Sequence, residues 1–266
     1  MSAIDQISEP TFLELGEERN RRRIAFRRRF PTDAGKDRPG IVWLGGFKSD
    51  MLSTKVTVLD QWAGEQGRAL LRFDYSGHGE SGGDFAKGTI GQWLEESLYM
   101  IRHQTTGPQI LVGSSMGGWI AMLVARALAE LDETQRIAGM VLIAPAVDFT
   151  EELMWKQMSE EVRADIMDKG VWMRASQYSP QAYPITRELI EDGRKHLLFG
   201  SKLRSYGPVH ILQGMQDPDV PPNHSMKLVH HLGTDPVSLT LIKDGDHRLS
   251  REEDIARLVS AVEKIA

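Results

Sequence analysis

The sequence predicts an α/β protein with a mostly parallel sheet flanked by helices. Three observations predict it: short, near-continuous apolar runs recur along the chain, helical patterns alternate with them, and the alternation breaks once, between Asp148 and Tyr206. Continuous apolar runs suit strands buried on both faces, the setting of a parallel sheet covered by helices. The break reads as a helical cap inserted after the sixth strand. The chain then divides into a core domain, residues 1-147 and 207-266, and a cap, residues 148-206.

In order, TFLEL and RIAFRRRF read as an opening antiparallel hairpin, followed by strands at GIVWL (40–44), ALLRFDY (69–75), QILVG (109–113), GMVLIA (139–144), PVHILQ (208–213) and SLTLI (238–242). Between them, residues 53–66 place Val56, Leu59, Trp62 and Ala63 on one helical face and stop before Gly67. Thr89-Ile-Gly-Gln92 and Ser250-Arg-Glu-Glu253 resemble capping boxes opening two further helices. The cap segment is rich in Met and aromatic residues: Met154, Trp155, Met158, Met167, Trp172, Met173, Tyr178 and Tyr183. Each singly is expected to pack; as a set they suggest an apolar-lined pocket, with Met154, Trp155, Met158 and Trp172 as substrate-binding candidates.

Composition narrows the function. A chain of 266 residues with 41% hydrophobic and 26% charged residues suits a globular fold, and a net charge of −5 argues against a nucleic-acid partner. Seven arginines crowd RNRRRIAFRRRF (19–30), but Glu14, Glu17 and Glu18 precede them and Ile24, Phe26 and Phe30 alternate among them, so a solvated strand face is preferred to a phosphate-binding patch. The absence of cysteine removes disulfides, thiolate metal sites and a thiol nucleophile. No metal or cofactor is expected. No apolar run is long enough for a membrane span, and the opening MSAIDQISEP lacks the order of a secretory signal, so a cytoplasmic setting is expected.

The pattern Gly-x-Ser-x-Gly marks a serine on a sharp strand-to-helix turn, where glycines let backbones approach. It is complete around Ser115 and fails around Ser114, where Val112 and Met116 take the glycine positions. It also occurs around Ser81, but that serine lies six residues beyond its strand and no helix follows. Ser115 follows a strand directly and leads into the apolar helix WIAMLVARALAEL, so it is the candidate nucleophile.

A serine hydroxyl needs a base, and the base an orienting carboxylate. Of eight histidines, His224, His230, His231 and His247 come late enough for the chain order serine, acid, histidine. His247 is preferred because it sits in a loop past the last strand, where catalytic groups of open sheets collect. Two acids follow strands, Asp217 and Asp148; the turn Gly214-x-x-Asp217-x-x-Val220-Pro221 favours Asp217, while Asp148 would alternatively cap a helix. Two backbone N–H groups are expected to form an oxyanion hole: that of Met116 and, from the loop Leu44-Gly45-Gly46-Phe47, that of Phe47.

With these residues in place the chain resembles the α/β-hydrolase superfamily, and within it bacterial relatives of a mitochondrial acyl-glucuronide esterase that also acts as a palmitoyl-protein thioesterase. The likeness rests on GFKSDMLSTK (46–55), RFDYSGHGES (72–81), GPQILVGSSMGGW (107–119), GVW (170–172), HILQGMQDPDVP (210–221) and DHR (246–248). The resemblance implies an α/β-hydrolase fold and a triad on Ser115, Asp217 and His247. It also implies serine hydrolysis of small-molecule or acyl-protein esters or thioesters. Hydrolysis of a lactone or a C–C bond, or a ligand-binding protein without turnover, are the alternatives.

Overall fold

The computed structural model describes residues 9–17, 20–175, 182–233 and 235–265. Tyr178, Glu18 and the first residue of the arginine-rich stretch, Arg19, lie outside the described residues, as do the first eight residues.

The chain opens with β1 (Thr11–Leu15) and β2 (Arg22–Arg29), an antiparallel hairpin. There follow β3 (Gly40–Leu44), α1 (Thr54–Glu65), β4 (Leu70–Phe73), α2 (Ile90–Gln104), β5 (Gln109–Ser114), α3 (Met116–Glu130) and β6 (Ile137–Ile143). The insertion holds a short π-helical turn, Thr150–Met154, then α4 (Glu160–Lys169), β7 (Val171–Arg174), β8 (Tyr183–Thr186) and α5 (Arg187–Arg194). The chain returns through β9 (Val209–Gly214), α6 (Pro222–His231), β10 (Val237–Ile242) and α7 (Glu252–Glu263).

Eight strands form one sheet in the order β1-β2-β4-β3-β5-β6-β9-β10. From β4 to β10 neighbouring strands run parallel, and β2 joins β4 antiparallel. Alternating side chains feed two cores, as a two-residue strand period requires. Ile41, Trp43, Ile110, Val112, Val141 and Ile143 pack with α1 and α7. Val42, Leu44, Leu111, Met140 and Leu142 pack on the other face with α2, α3 and the insertion. The chain crosses from β3 to β4 on one side and then to β5 on the other. The loops after β3 and β5 therefore meet at the reversal point of the sheet, where open α/β sheets bind ligands.

Three local expectations are corrected. The insertion is not purely helical: β7 and β8 form an antiparallel ribbon pairing Val171 with Thr186 and Arg174 with Tyr183. Its four-residue strands are half-exposed and so lack the continuous apolar signature of the sheet strands. The second capping box does not form: Arg251, not Ser250, precedes α7, and Ser250 Oγ donates to the Arg248 carbonyl. Glu252, Glu253 and Asp254 in the first turn oppose the helix dipole instead. The arginine face of β2 is largely paired within the protein, Arg22 with Glu95, Arg27 with Glu80 and Arg29 with Asp60, and Arg27 is buried. The Thr89 cap does form, its hydroxyl accepting the Gln92 N–H at 3.2 Å.

Candidate active site

Ser115 stands alone between β5 and α3, with φ 54° and ψ −116°. A non-glycine residue adopts that region only when its surroundings hold it there. Its N–H donates to the Ile143 carbonyl at 2.8 Å, and its own carbonyl accepts from Gly118 at 2.9 Å and Ala146 at 3.0 Å. The flanking glycines are steric requirements. A Cβ on Gly113 would come within 2.4 Å of the Gly117 carbonyl oxygen, and one on Gly117 within 2.0 Å of the Leu44 oxygen.

His247 follows β10 in a turn held by Asp246, whose carboxylate accepts the Arg248 and Leu249 N–H groups, each at 3.0 Å. Its Nε2 lies 3.1 Å from Ser115 Oγ and its Nδ1 2.7 Å from Asp217 Oδ2. A carboxylate only accepts, so Nδ1 carries the proton and Nε2 presents its lone pair to the serine hydroxyl. Asp217 Oδ1 accepts the Asp219 N–H at 2.9 Å and the Val220 N–H at 2.8 Å, which fixes the carboxylate within its turn.

Asp148, the alternative acid, is occupied elsewhere. Its carboxylate accepts the N–H groups of Leu198, at 2.9 and 3.0 Å, and Phe199, at 2.9 Å, and ties together the two ends of the insertion. Burial pushes its pKa up while those donors pull it down. Ser81 is also occupied: its Oγ donates to the Asp74 carbonyl at 2.6 Å and accepts the Ala25 N–H at 2.8 Å.

The loop after β3 lies against the serine. A Cβ on Gly46 would be 3.5 Å from Ser115 Cβ and 3.3 Å from the Ser114 oxygen, and Phe47 is the next residue. Met116 opens α3, where the first N–H groups of a helix have no partner within it. The Phe47 ring touches Phe85, Trp93 and, from the insertion, Phe149 and Tyr183, with centroids 4.9 to 5.9 Å apart. Of the cap candidates, Met154 is buried in the core, and Trp155, Met158 and Trp172 pack against it half-buried. Trp155 lies under the guanidinium groups of Arg194, at 4.5 Å, and Arg163, at 5.6 Å.

Two contributors escape a sequence reading. Gln213 is fully buried on β9; its amide donates to Gly214 and Val220 carbonyls, each at 2.9 Å, and to Asp217 Oδ2 at 3.4 Å, while its oxygen accepts from Ser225 Oγ at 2.6 Å. It closes the acid turn from behind. The signal was a lone polar residue ending an apolar strand. The second is the loop after β4, where His78 and Asp74 accept the Lys48 and Met51 N–H groups. Ligand atoms of Asp217, Asp219 and His247 lie within 4.8 Å of one another, a spacing that also suits a metal ion.

Residues 51–192, just over half the chain, match the family described as Serine aminopeptidase, S33. The match includes Ser115 and ends before Asp217 and His247. The chain belongs to this family, and so to the α/β-hydrolases, a class of hydrolytic enzymes. Within that class it resembles ABHD10. It is 35% identical over 228 residues to "Palmitoyl-protein thioesterase ABHD10, mitochondrial" of Bos taurus, covering 85% of this chain and 72% of that protein. The crystal structure of a putative hydrolase from Agrobacterium vitis S4 aligns with a TM-score of 0.91 at 45% identity, covering 97% of this chain and 98% of that one. Alpha/beta hydrolase domain-containing protein 10 from mouse aligns with a TM-score of 0.83 at 29% identity, over 97% of this chain and 98% of that one. No helix among the described residues is long and apolar enough to cross a membrane.

Proposed function

We propose that the protein is a serine hydrolase of carboxylic esters or thioesters, acting through an acyl-enzyme on Ser115. The observation that carries this reading is the unbroken hydrogen-bond chain Asp217–His247–Ser115, at 2.7 and 3.1 Å. Ser115 Oγ attacks the substrate carbonyl carbon as its proton passes to His247 Nε2. Asp217 holds the ring by Nδ1–H and offsets the imidazolium charge. The tetrahedral oxyanion accepts hydrogen bonds from the Met116 and Phe47 N–H groups. Collapse expels the alcohol or thiol, which takes the proton from Nε2. Water then repeats the sequence, with Ser115 as leaving group, and releases the acid.

The curated relatives are named palmitoyl-protein thioesterases, which favours long acyl groups and acyl-protein substrates. In this reading the acyl chain runs from the aromatic contacts of Phe47 and Tyr183 along Met154, Trp155, Met158 and Trp172, beneath a cap formed by residues 148-206. The lack of cysteine suits the reducing cytoplasm proposed as its setting.

The test is a stopped-flow burst with p-nitrophenyl esters of two to sixteen carbons, beside an S-palmitoyl peptide. The expected result is a burst of p-nitrophenol near one equivalent, with kcat/KM rising with chain length. Turnover without an acyl-enzyme trappable by acid quench would reject the covalent route. A preference for short, charged acyl groups would reject the apolar channel.

A further inference from the structure

The loop after β4, Tyr75-Ser76-Gly77-His78-Gly79-Glu80, carries a buried histidine that the proposed chemistry does not use. His78 is 3% exposed, and its ring packs against Phe85, Trp93 and Tyr75 with centroids 5.2, 5.1 and 5.6 Å away. Its Nδ1 lies 3.2 Å from the Ser76 carbonyl and its Nε2 accepts the Lys48 backbone N–H at 3.1 Å. A carbonyl cannot donate, so Nδ1 bears the proton and Nε2 is free to accept. Burial lowers the pKa to about 4, so this neutral form persists at neutral pH.

Lys48 is the unusual partner. Its φ is 58°, a left-handed conformation disfavoured for a residue with a Cβ, and it directly follows Phe47. The turn is closed by the Ser49 N–H donating to the Gly46 carbonyl at 3.1 Å. Farther along the same loop, Asp74 accepts the Met51 N–H at 2.6 Å and the Glu80 N–H at 2.8 Å. The His78 loop thus grips residues 46–51 at two points. The grip at the residue next to Phe47 is the imidazole.

We infer that His78 is a positioning residue that holds the Gly46-Phe47-Lys48 turn in its strained conformation, so that the Phe47 N–H is aimed at the oxyanion before substrate arrives. This rests on the proposal that Phe47 supplies an oxyanion donor. Without the imidazole, Lys48 relaxes toward negative φ; the Phe47–Lys48 peptide rotates, the Phe47 dihedrals adjust to it, and the Phe47 N–H on the preceding peptide loses its aim. Only the charged intermediate feels that loss; ground-state binding does not.

The experiment compares wild type, His78→Ala and His78→Gln with one p-nitrophenyl ester and with a trifluoromethyl ketone, whose adduct on a serine carries the same oxyanion. His78→Ala is expected to lower kcat on the order of tenfold to a hundredfold. KM should stay within about twofold, and the ketone should weaken in step with kcat/KM. His78→Gln, which offers an amide oxygen to the Lys48 N–H, should recover part of both losses. A folded His78→Ala enzyme with wild-type kcat and ketone affinity overturns the inference, as does a loss confined to KM. Wild-type 15N shifts supply a test that needs no variant: an Nε2–H tautomer at His78 contradicts it, and an Nδ1–H tautomer supports it. If the wild type neither turns over the ester nor binds the ketone, the hydrolase reading itself fails, whatever His78 does.

Discussion

The chain carries the same five-residue pattern twice, and the two copies behave in opposite ways. Around Ser81 the glycines serve a loop whose serine hydroxyl is engaged on both sides, donating to Asp74 and accepting from Ala25. Around Ser115 they bring a strand and a helix so close that no side chain fits between, and among the described residues the hydroxyl's hydrogen-bond partner is the His247 imidazole. Glycine spacing therefore reports tight turns. What makes a serine available for chemistry is a backbone held at positive φ by its neighbours and a hydroxyl free of backbone partners. One copy braces the other: the Ser81 loop holds Asp74 and His78, which in turn hold the loop beside Ser115.

The largest expected contrast is between the two serines. Ser115→Ala should lower kcat by about three orders of magnitude or more and leave the melting temperature near wild type. Ser81→Ala should retain turnover but lose about 1–3 kcal/mol of stability, because two backbone groups lose their partner. Steady-state kinetics paired with denaturant unfolding reads both.

The next contrast is between the two acids. Asp217→Asn is expected to reduce kcat by about three to four orders of magnitude, since an amide leaves the imidazole free to take the wrong tautomer. Asp148→Asn should keep kcat close to wild type while weakening the bonds to Leu198 and Phe199, at a cost of about 1–3 kcal/mol in unfolding free energy. A reversed pattern would move the acid to the insertion.

Gln213→Met keeps the bulk but removes the donors behind Asp217. The expected outcome is a fall in kcat on the order of tenfold with KM little changed, because the carboxylate is looser rather than absent. The last contrast is in pH dependence and concerns the root of the Ser81 loop, where Glu96 accepts the Ser76 N–H at 2.9 Å and its Oγ–H at 2.6 Å. Burial raises the Glu96 pKa from 4.5 to about 7. Between those values the folded chain keeps a proton that the unfolded chain has released, so this group's contribution to stability falls as pH rises through that window. The slope reaches at most about 1.4 kcal/mol per pH unit. Glu96→Gln should flatten it in unfolding experiments run from pH 5 to pH 8.

The centre of the sheet was legible in the sequence because β3, β5 and β6 are buried on both faces and read as apolar runs, whereas the edge strands β1 and β10 are partly exposed. The candidate triad was legible for a related reason. Ser115, Asp217 and His247 each sit just beyond a strand, where loops at the carboxyl edge converge. The β7–β8 ribbon was not legible, because four half-exposed residues carry no such run and residues such as Trp172 and Tyr183 suit a helix pattern as well. Gln213 and His78 were hidden for a different reason. A lone glutamine ending a strand, or a histidine in a glycine-rich loop, reads as solvated until the tertiary fold buries it beside a carboxylate or a backbone N–H. The Ser250 box failed because its serine turns back to the Arg248 carbonyl, two residues earlier in the same loop, and not to the helix N-terminus.

The central claim is that Ser115, and not Ser81, is the reactive hydroxyl. Incubation with a fluorophosphonate, then peptide mapping by mass spectrometry, tests it most directly. One adduct per chain is expected, on the peptide containing Ser115, and none on the folded Ser115→Ala protein. An adduct on Ser81, or a folded wild-type protein that takes up no label, would contradict it.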